Sequence, residues 1–393
     1  MNEATLQTIF ILGFAAYAAK HTLPYYLYRA AWRIMNCRTP ALGGHVQACP
    51  EGHFQRNHYN SCKHRACPLC AYIQVQRWLQ EQAARLLPCD HYHVIFTIPH
   101  ELNPLWTYNR ATITEILFQS ARSTLFQLLQ DPKYLGAKPG IIASLHTWTK
   151  TLQLHPHIHC LVTGGGFKDG VWVPLHYDYL FPIAIARILF RAKVLEAIRQ
   201  ALENGQLVLP PSLSAPELRK LLGQLRRKKW NLRIQEKYTH GKGILTYLAR
   251  YLRGGPIANS RIVKVDTQSV TFHIGRGKKQ LLTLPLAEFI ERFLQHIPLP
   301  SSVVIRSWGL YATSKRKELE QCHKLLGGKL EQVTTGTWQE FLEQTFGQEA
   351  TKDTPWKCPV CGKRLILSTI IPPVRPTSGH GPPASKKQPC AVP

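Results

Sequence analysis

LHPHIHCLVTGGG, residues 154 to 166, alternates polar and apolar side chains with a period of two, the pattern of a strand with one face turned to a core. In such a strand His157 and His159 project from one face, while Ile158, Cys160 and Val162 pack on the other. Two neutral imidazoles two residues apart can share one divalent cation. A cation held there can polarise a phosphodiester oxygen and hold the phosphate in line for attack. The bland alternative is a histidine-rich edge without metal. Just upstream, Gly140 to Thr149 is also rich in β-branched and aromatic residues, so the two stretches form an antiparallel hairpin centred near Thr151 or Leu152. That register sets His146 opposite the pair and makes it the first choice for a third ligand, with His155, beside Pro156, and His240 as further candidates.

Outward from the hairpin, His91 to Pro99 (HYHVIFTIP) reads as another strand, and Leu105 to Gln130 and Pro182 to Leu202 read as helices. Residues 1 to 36 are helical, with Pro24 opening a second helix, and Ala71 to Leu87 forms a further one. Short strands are expected at Arg261 to Val265 and Ser269 to Ile274, and helices at Gly241 to Arg253, Leu286 to His296 and Lys315 to Leu326. The fold class is therefore α+β: an antiparallel sheet with flanking helices, preceded by a helical, metal-binding unit. The expected division is 1–87 for the N-terminal unit, 88–330 for the catalytic unit, 331–370 for a helix and a CxxC knuckle, and 371–393 for a disordered tail with seven prolines.

Within the helix expected at Gly241 to Arg253 (GKGILTYLARYLR), Tyr247 and Tyr251 stand four residues apart, on one face and about 6 Å apart along the axis. Both phenols can reach one site. A phenol that attacks phosphorus forms a covalent phosphotyrosine ester, so a cut strand end is kept for rejoining. An aromatic core stripe would have the same spacing. Lys242, Arg250 and Arg253 on the same helix suit a phosphate backbone better than a core. Between Ala215 and Gln280, sixteen Lys or Arg stand against three Asp or Glu. Arg226, Arg227, Lys228 and Lys229 form the densest run, so this stretch is the expected DNA-binding face.

Eleven cysteines crowd mainly into Cys37 to Cys89 and the pair Cys358 and Cys361. Cys67 and Cys70 make a CPLC knuckle, the spacing by which two thiolates clasp zinc, and Cys49, His53 and Cys62, with Cys37 upstream, offer further ligands. A structural zinc ion would order a loop-rich stretch with little apolar material of its own. Cys358 and Cys361 (CPVCG) form a half site, completed by a distant partner or serving only as a tight turn.

Over 393 residues the formal net charge is +26, an excess that calls for a polyanionic partner, and the sign alone does not decide between nucleic acid and a membrane surface. The apolar run Leu6 to Ala19 follows Glu3 rather than a basic leader and is too short to span a bilayer, so it reads as a buried helix in a cytoplasmic protein with reduced thiols.

With HPHIHCLVTGGG, TYLARYL and SCKHRACPLC in one order, the sequence resembles the rolling-circle transposases of the insertion-sequence ninety-one family. The likeness runs from CRTPALGGH at Cys37 through GLYATSKR at Gly309. That family belongs to the HUH endonucleases. The resemblance implies that His157 and His159 are ligands of a catalytic Mg²⁺ or Mn²⁺, and that Tyr247 and Tyr251 are paired nucleophiles that leave a 3′ hydroxyl and a 5′ phosphotyrosine. It further implies structural Zn²⁺, single-stranded DNA at transposon ends and target DNA as partners, and a place beside the bacterial nucleoid. The family's zinc domain carries a CxxC where this chain has Cys49, Pro50, Glu51 and Gly52. Either His53 replaces the missing thiol, or Cys62 completes a site with Cys49, Cys67 and Cys70. Two other readings are a non-catalytic zinc protein that binds nucleic acid, which leaves the histidines and tyrosines idle, and a zinc hydrolase, which lacks a carboxylate at protease-like spacing.

Overall fold

The computed structural model describes residues 4–238, 245, 255–275, 280–330 and 357–374. Thr5 caps the first helix, α1 (Leu6–Lys20), by accepting from Thr8 N, and Pro24 stands at the N-cap of α2 (Tyr25–Met35). The stretch expected to be loop contains a polar hairpin, β1 (Gly44–Ala48) and β2 (Gln55–Tyr59), before α3 (Pro68–Ala83). Then follow β3 (His91–Thr97), α4 (Asn103–Tyr108), α5 (Arg110–Leu129), β4 (Gly140–Trp148), β5 (Leu154–Thr163), β6 (Gly165–Lys168) and β7 (Val171–Pro174). Next are α6 (Ile183–Glu203), α7 (Ala215–Arg227) and β8 (Leu232–Tyr238). The remainder comprises β9 (Ile262–Val265), β10 (Ser269–Ile274), β11 (Gln280–Pro285), α8 (Leu286–Gln295), β12 (Ile305–Gly309), α9 (Arg316–Leu325) and β13 (Ile366–Ile371).

The single long helix expected over Leu105 to Gln130 is broken at Asn109. Its side chain donates to Leu105 O and Val208 O and accepts from Val208 N, tertiary bonds that hold the backbone out of helical geometry.

Five strands form the central antiparallel sheet in the order β12-β4-β5-β3-β8. Alternation divides it into two faces. Tyr92, Val94, Phe96, Leu145, Ile158 and Cys160 point into a core closed by α4 to α7, where Phe118, Phe190 and Trp230 are buried. Each such side chain contributes roughly 1.5–3 kcal/mol on burial. The opposite face carries the histidines.

A second core joins α1 and α2 to β9–β11 and α8, with Phe10 packed edge-on against Phe293 at 5.3 Å between ring centroids. Gly13 allows the close crossing of α1 and α8, because a Cβ there would fall 2.7 Å from Leu286 and Ile290 side-chain atoms. Packing thus groups residues 257–297 with the N-terminal helices, a different grouping from the linear division at residue 87. β13 joins the N-terminal hairpin in a three-stranded sheet, β13-β1-β2. No helix among the described residues is long and apolar enough to cross a membrane.

Two buried histidines brace this framework as neutral rings. His296 Nε2–H donates to Leu152 O at the tip of the β4–β5 hairpin, and its Nδ1 accepts from the Thr147 hydroxyl. His91 Nδ1–H donates to Cys89 O, and its Nε2 accepts from the Tyr311 hydroxyl. Burial pushes both down to about 4 from an ordinary 6.5. Below pH 6.5 the unfolded chain takes up these protons and the folded chain does not, so stability falls as pH drops toward 4. The loss should be about 1.4 kcal/mol per pH unit for each ring. Urea denaturation at pH 7 and pH 5 measures it, and equal midpoints at the two pH values would contradict it.

Candidate metal centre

The β4–β5 register sets His146 directly opposite His157 and Ser144 opposite His159. Since β5 alternates, His157 and His159 share the face that His146 also occupies. One ring nitrogen from each of the three lies within 4.8 Å of the others, and the His146 and His159 ring centroids are 3.9 Å apart. Burial lowers all three, His157 to about 4 and His146 and His159 well below the ordinary value. At neutral pH the cluster is therefore three uncharged imidazoles with lone pairs, a donor set that fits a divalent cation. Protonating even two of them would place like charges in contact with little water to screen them.

The tautomers are set from outside the cluster. Gln235 Oε1 accepts from His93 Nδ1–H at 2.8 Å, and His93 Nε2 accepts from His159 Nδ1–H at 2.6 Å. His157 Nδ1–H donates to His155 O. On both β5 histidines the lone pair is thereby assigned to Nε2. His155 contributes this carbonyl and stands outside the three-ring group. His93 and Gln235 did not emerge from the sequence reading. Parity within HYHVIFTIP marks His93 as a face residue, but only the β3–β5 and β3–β8 pairings bring it to His159 and Gln235.

Tyr247, Tyr251, Lys242, Arg250, Arg253 and the alternative ligand His240 lie outside the described residues. Leu245, between them, is buried in a cluster with Ile142 and Leu161, which occupy the histidine face of β4 and β5. Arg226, Arg227, Lys228 and Lys229 are exposed at the end of α7, and Lys228 pairs with Glu101. Their chain enters the sheet where Thr97 N donates to Asn231 O, and Thr97 pairs with His157.

The cysteines divide differently from a single Cys49, His53, Cys62, Cys67, Cys70 cluster. Cys62, Cys67 and Cys70 gather with Cys37, whereas Cys49 and His53 lie with Cys358 and Cys361. In the first group Cys37 Sγ is 3.4 Å and Cys62 Sγ 3.5 Å from Cys70 Sγ. Those separations approach the roughly 3.7 Å edge of a tetrahedron with metal–sulfur bonds of about 2.3 Å. All four side chains are buried. Hydrogen bonds from Cys37, Cys62 and Cys67 favour a thiolate on Cys70, whereas hydrogen bonding to Cys37 first, and to Cys70 as well, pushes Cys62 and Cys67 up. Four sulfurs that cannot all ionise by themselves suit a dication that stabilises every thiolate together.

This arrangement, a histidine-faced antiparallel sheet behind a cysteine-rich N-terminal unit, matches two family models. Residues 140–318 match the family described as "Putative transposase", and residues 9–98 match the "Transposase zinc-binding domain". The two regions define a transposase with an N-terminal zinc-binding domain. "Putative transposase y4qJ" of Sinorhizobium fredii is 34% identical over 372 residues, spanning 91% of this chain and 92% of the relative. The "Transposase for insertion sequence element IS801" of Pseudomonas savastanoi pv. phaseolicola is 28% identical over 353 residues, 86% of this chain and 82% of the relative. The chain belongs to the IS91 family of insertion-sequence transposases. No solved structure matches it.

Proposed function

We propose that this transposase cuts and rejoins single DNA strands through a 5′ phosphotyrosine intermediate in rolling-circle transposition. The observation that supports this most is the trio of uncharged imidazoles of His146, His157 and His159 on one sheet face, His146 and His159 buried and His157 half-buried. A bound divalent cation would supply positive charge to polarise the scissile phosphate. His146, His157 and His159 would hold it, and the hydrogen bonds from His93 and Gln235 would keep the His159 lone pair on Nε2. Tyr247 or Tyr251 attacks phosphorus through its phenolic oxygen. The bond from phosphorus to the 3′ oxygen breaks, that oxygen takes up a proton in place of the one the phenol loses, and the 5′ end stays on the protein. Leu245, two residues before Tyr247, is packed against the histidine face, which favours this assignment.

The proposed partners are single-stranded transposon ends and target DNA, held by the exposed Arg226 to Lys229 run and by Lys242, Arg250 and Arg253. The proposed ions are Mg²⁺ or Mn²⁺ at the histidines and Zn²⁺ at Cys37, Cys62, Cys67 and Cys70, with the protein acting in the bacterial cytoplasm at the nucleoid. Nitrogen donors favour Mn²⁺ over Mg²⁺, so Mn²⁺ should support the reaction at the lower concentration. Incubating the full chain with end-labelled single-stranded element ends and either cation should yield a denaturant-stable protein–DNA adduct. DNA binding with no adduct in either cation would instead favour a non-catalytic nucleic-acid-binding protein.

A further inference from the structure

We propose that Cys49, His53, Cys358 and Cys361 form a second zinc site, which clasps the C-terminal knuckle to the N-terminal hairpin. Neither family match, 9–98 or 140–318, contains both halves. One donor atom from each of the four residues lies within 4.8 Å of the others, with Cys49 Sγ 3.5 Å from Cys361 Sγ and 3.9 Å from His53 Nδ1. Three thiolates and an imidazole at tetrahedral spacing select zinc over the harder cations proposed for the histidine centre.

The backbone is built for it on both sides. Cys49 N donates to Phe54 O at 2.8 Å, and Cys358 N donates to Lys363 O at 2.8 Å, so each half is a tight hairpin tip closed at the same offset. Each tip turns through a glycine in the left-handed region, Gly52 at φ 75° and Gly362 at φ 70°. Two matching knuckles that face each other are how short loops present four ligands to one ion. The second cysteine missing from the N-terminal knuckle corresponds to Gly52, and its role passes to the adjacent His53.

Among the described residues, apolar packing adds little to the β1–β13 backbone pairing that joins the two halves. The local apolar cluster has three buried members, Cys49, Cys358 and Leu365, with Phe54 packed against them. Strand β13 leaves Ile366, Leu367 and Ile370 more than half exposed, so it adds few apolar contacts to its pairing with β1. The Lys363–Glu51 ion pair that bridges the tips lies at the surface and contributes little. Metal coordination supplies what the packing lacks.

Zinc content of the purified full chain is the first measurement. The Cys358→Ser, Cys361→Ser double variant should lose one equivalent relative to the parent, with the Cys37, Cys62, Cys67, Cys70 ion retained. Unchanged zinc content in that variant overturns the proposal. His53→Cys guards against a variant that merely misfolds, because it keeps four donors and should keep the full zinc content. After cobalt replaces zinc, His53→Cys should raise the thiolate-to-cobalt charge-transfer absorption by one further thiolate. An unchanged cobalt spectrum in His53→Cys excludes His53 as a ligand and equally overturns the four-residue site. None of these readouts depends on DNA cleavage, so failure of the catalytic reading leaves them intact.

Discussion

The double variant Tyr247→Phe, Tyr251→Phe is expected to form no covalent DNA adduct, a loss of at least about 10³-fold, while still binding single-stranded DNA. Phe keeps the aromatic ring and removes only the oxygen proposed as the nucleophile. Each single variant should retain some adduct, since two phenols four residues apart can address the same phosphate. Neither single variant should complete transposition. One metal activates one phosphate at a time, and a second attack while the first end is held requires the second phenol. Gel-resolved adducts and an in vivo transposition count measure the two steps separately. Adducts at the parental rate in the double variant would place the nucleophile elsewhere.

His159→Ala is expected to stop cleavage in both Mg²⁺ and Mn²⁺, again by about 10³-fold or more, because it removes one of the three proposed ligands. Binding of DNA through the basic residues should persist. Gln235→Leu tests the outer support of the same ring. It removes the acceptor for His93 Nδ1–H, so His93 no longer has to present its Nε2 lone pair to His159. Outer-shell losses of this kind cost about 10- to 100-fold in metal affinity. Adduct formation by Gln235→Leu should therefore recover at high Mn²⁺, whereas His159→Ala should not. A defect in Gln235→Leu that no Mn²⁺ concentration relieves would argue against a positioning role.

The parts of this centre that could be read in sequence are those written in local alternation. His157 and His159 share a face because β5 has a period of two, and His146 meets them because the hairpin connection is short enough to fix the register. What could not be read depends on long-range pairing. His93 reaches His159 only through β3 lying beside β5, and Gln235 sits on β8, a sheet-edge strand whose LRIQEKY sequence is too charged to stand out. The polar hairpin β1–β2 was hidden for the same reason. Proximity along the chain also misled the cysteine grouping. Cys49 lies nearer in sequence to Cys62 than Cys358 does, yet pairing of β1 with β13 brings Cys358 and Cys361 to it and leaves Cys37 to complete the other site.

The β1–β13 pairing also bears on how the chain is made. Ala48 pairs with Ile366, so the hairpin that leaves the ribosome early must wait for a strand about 320 residues later. At about 5–20 residues per second that interval is roughly 15 to 60 s. Throughout it the Cys37, Cys62, Cys67 and Cys70 group, the proposed zinc ligands, is already complete, while β1 keeps an unpaired edge and Cys49 lacks half of its neighbours. Interrupted translation would therefore leave an open strand edge and the Cys49 and His53 side chains without their later neighbours, the kind of surface by which quality-control proteases and chaperones distinguish unfinished chains from finished ones.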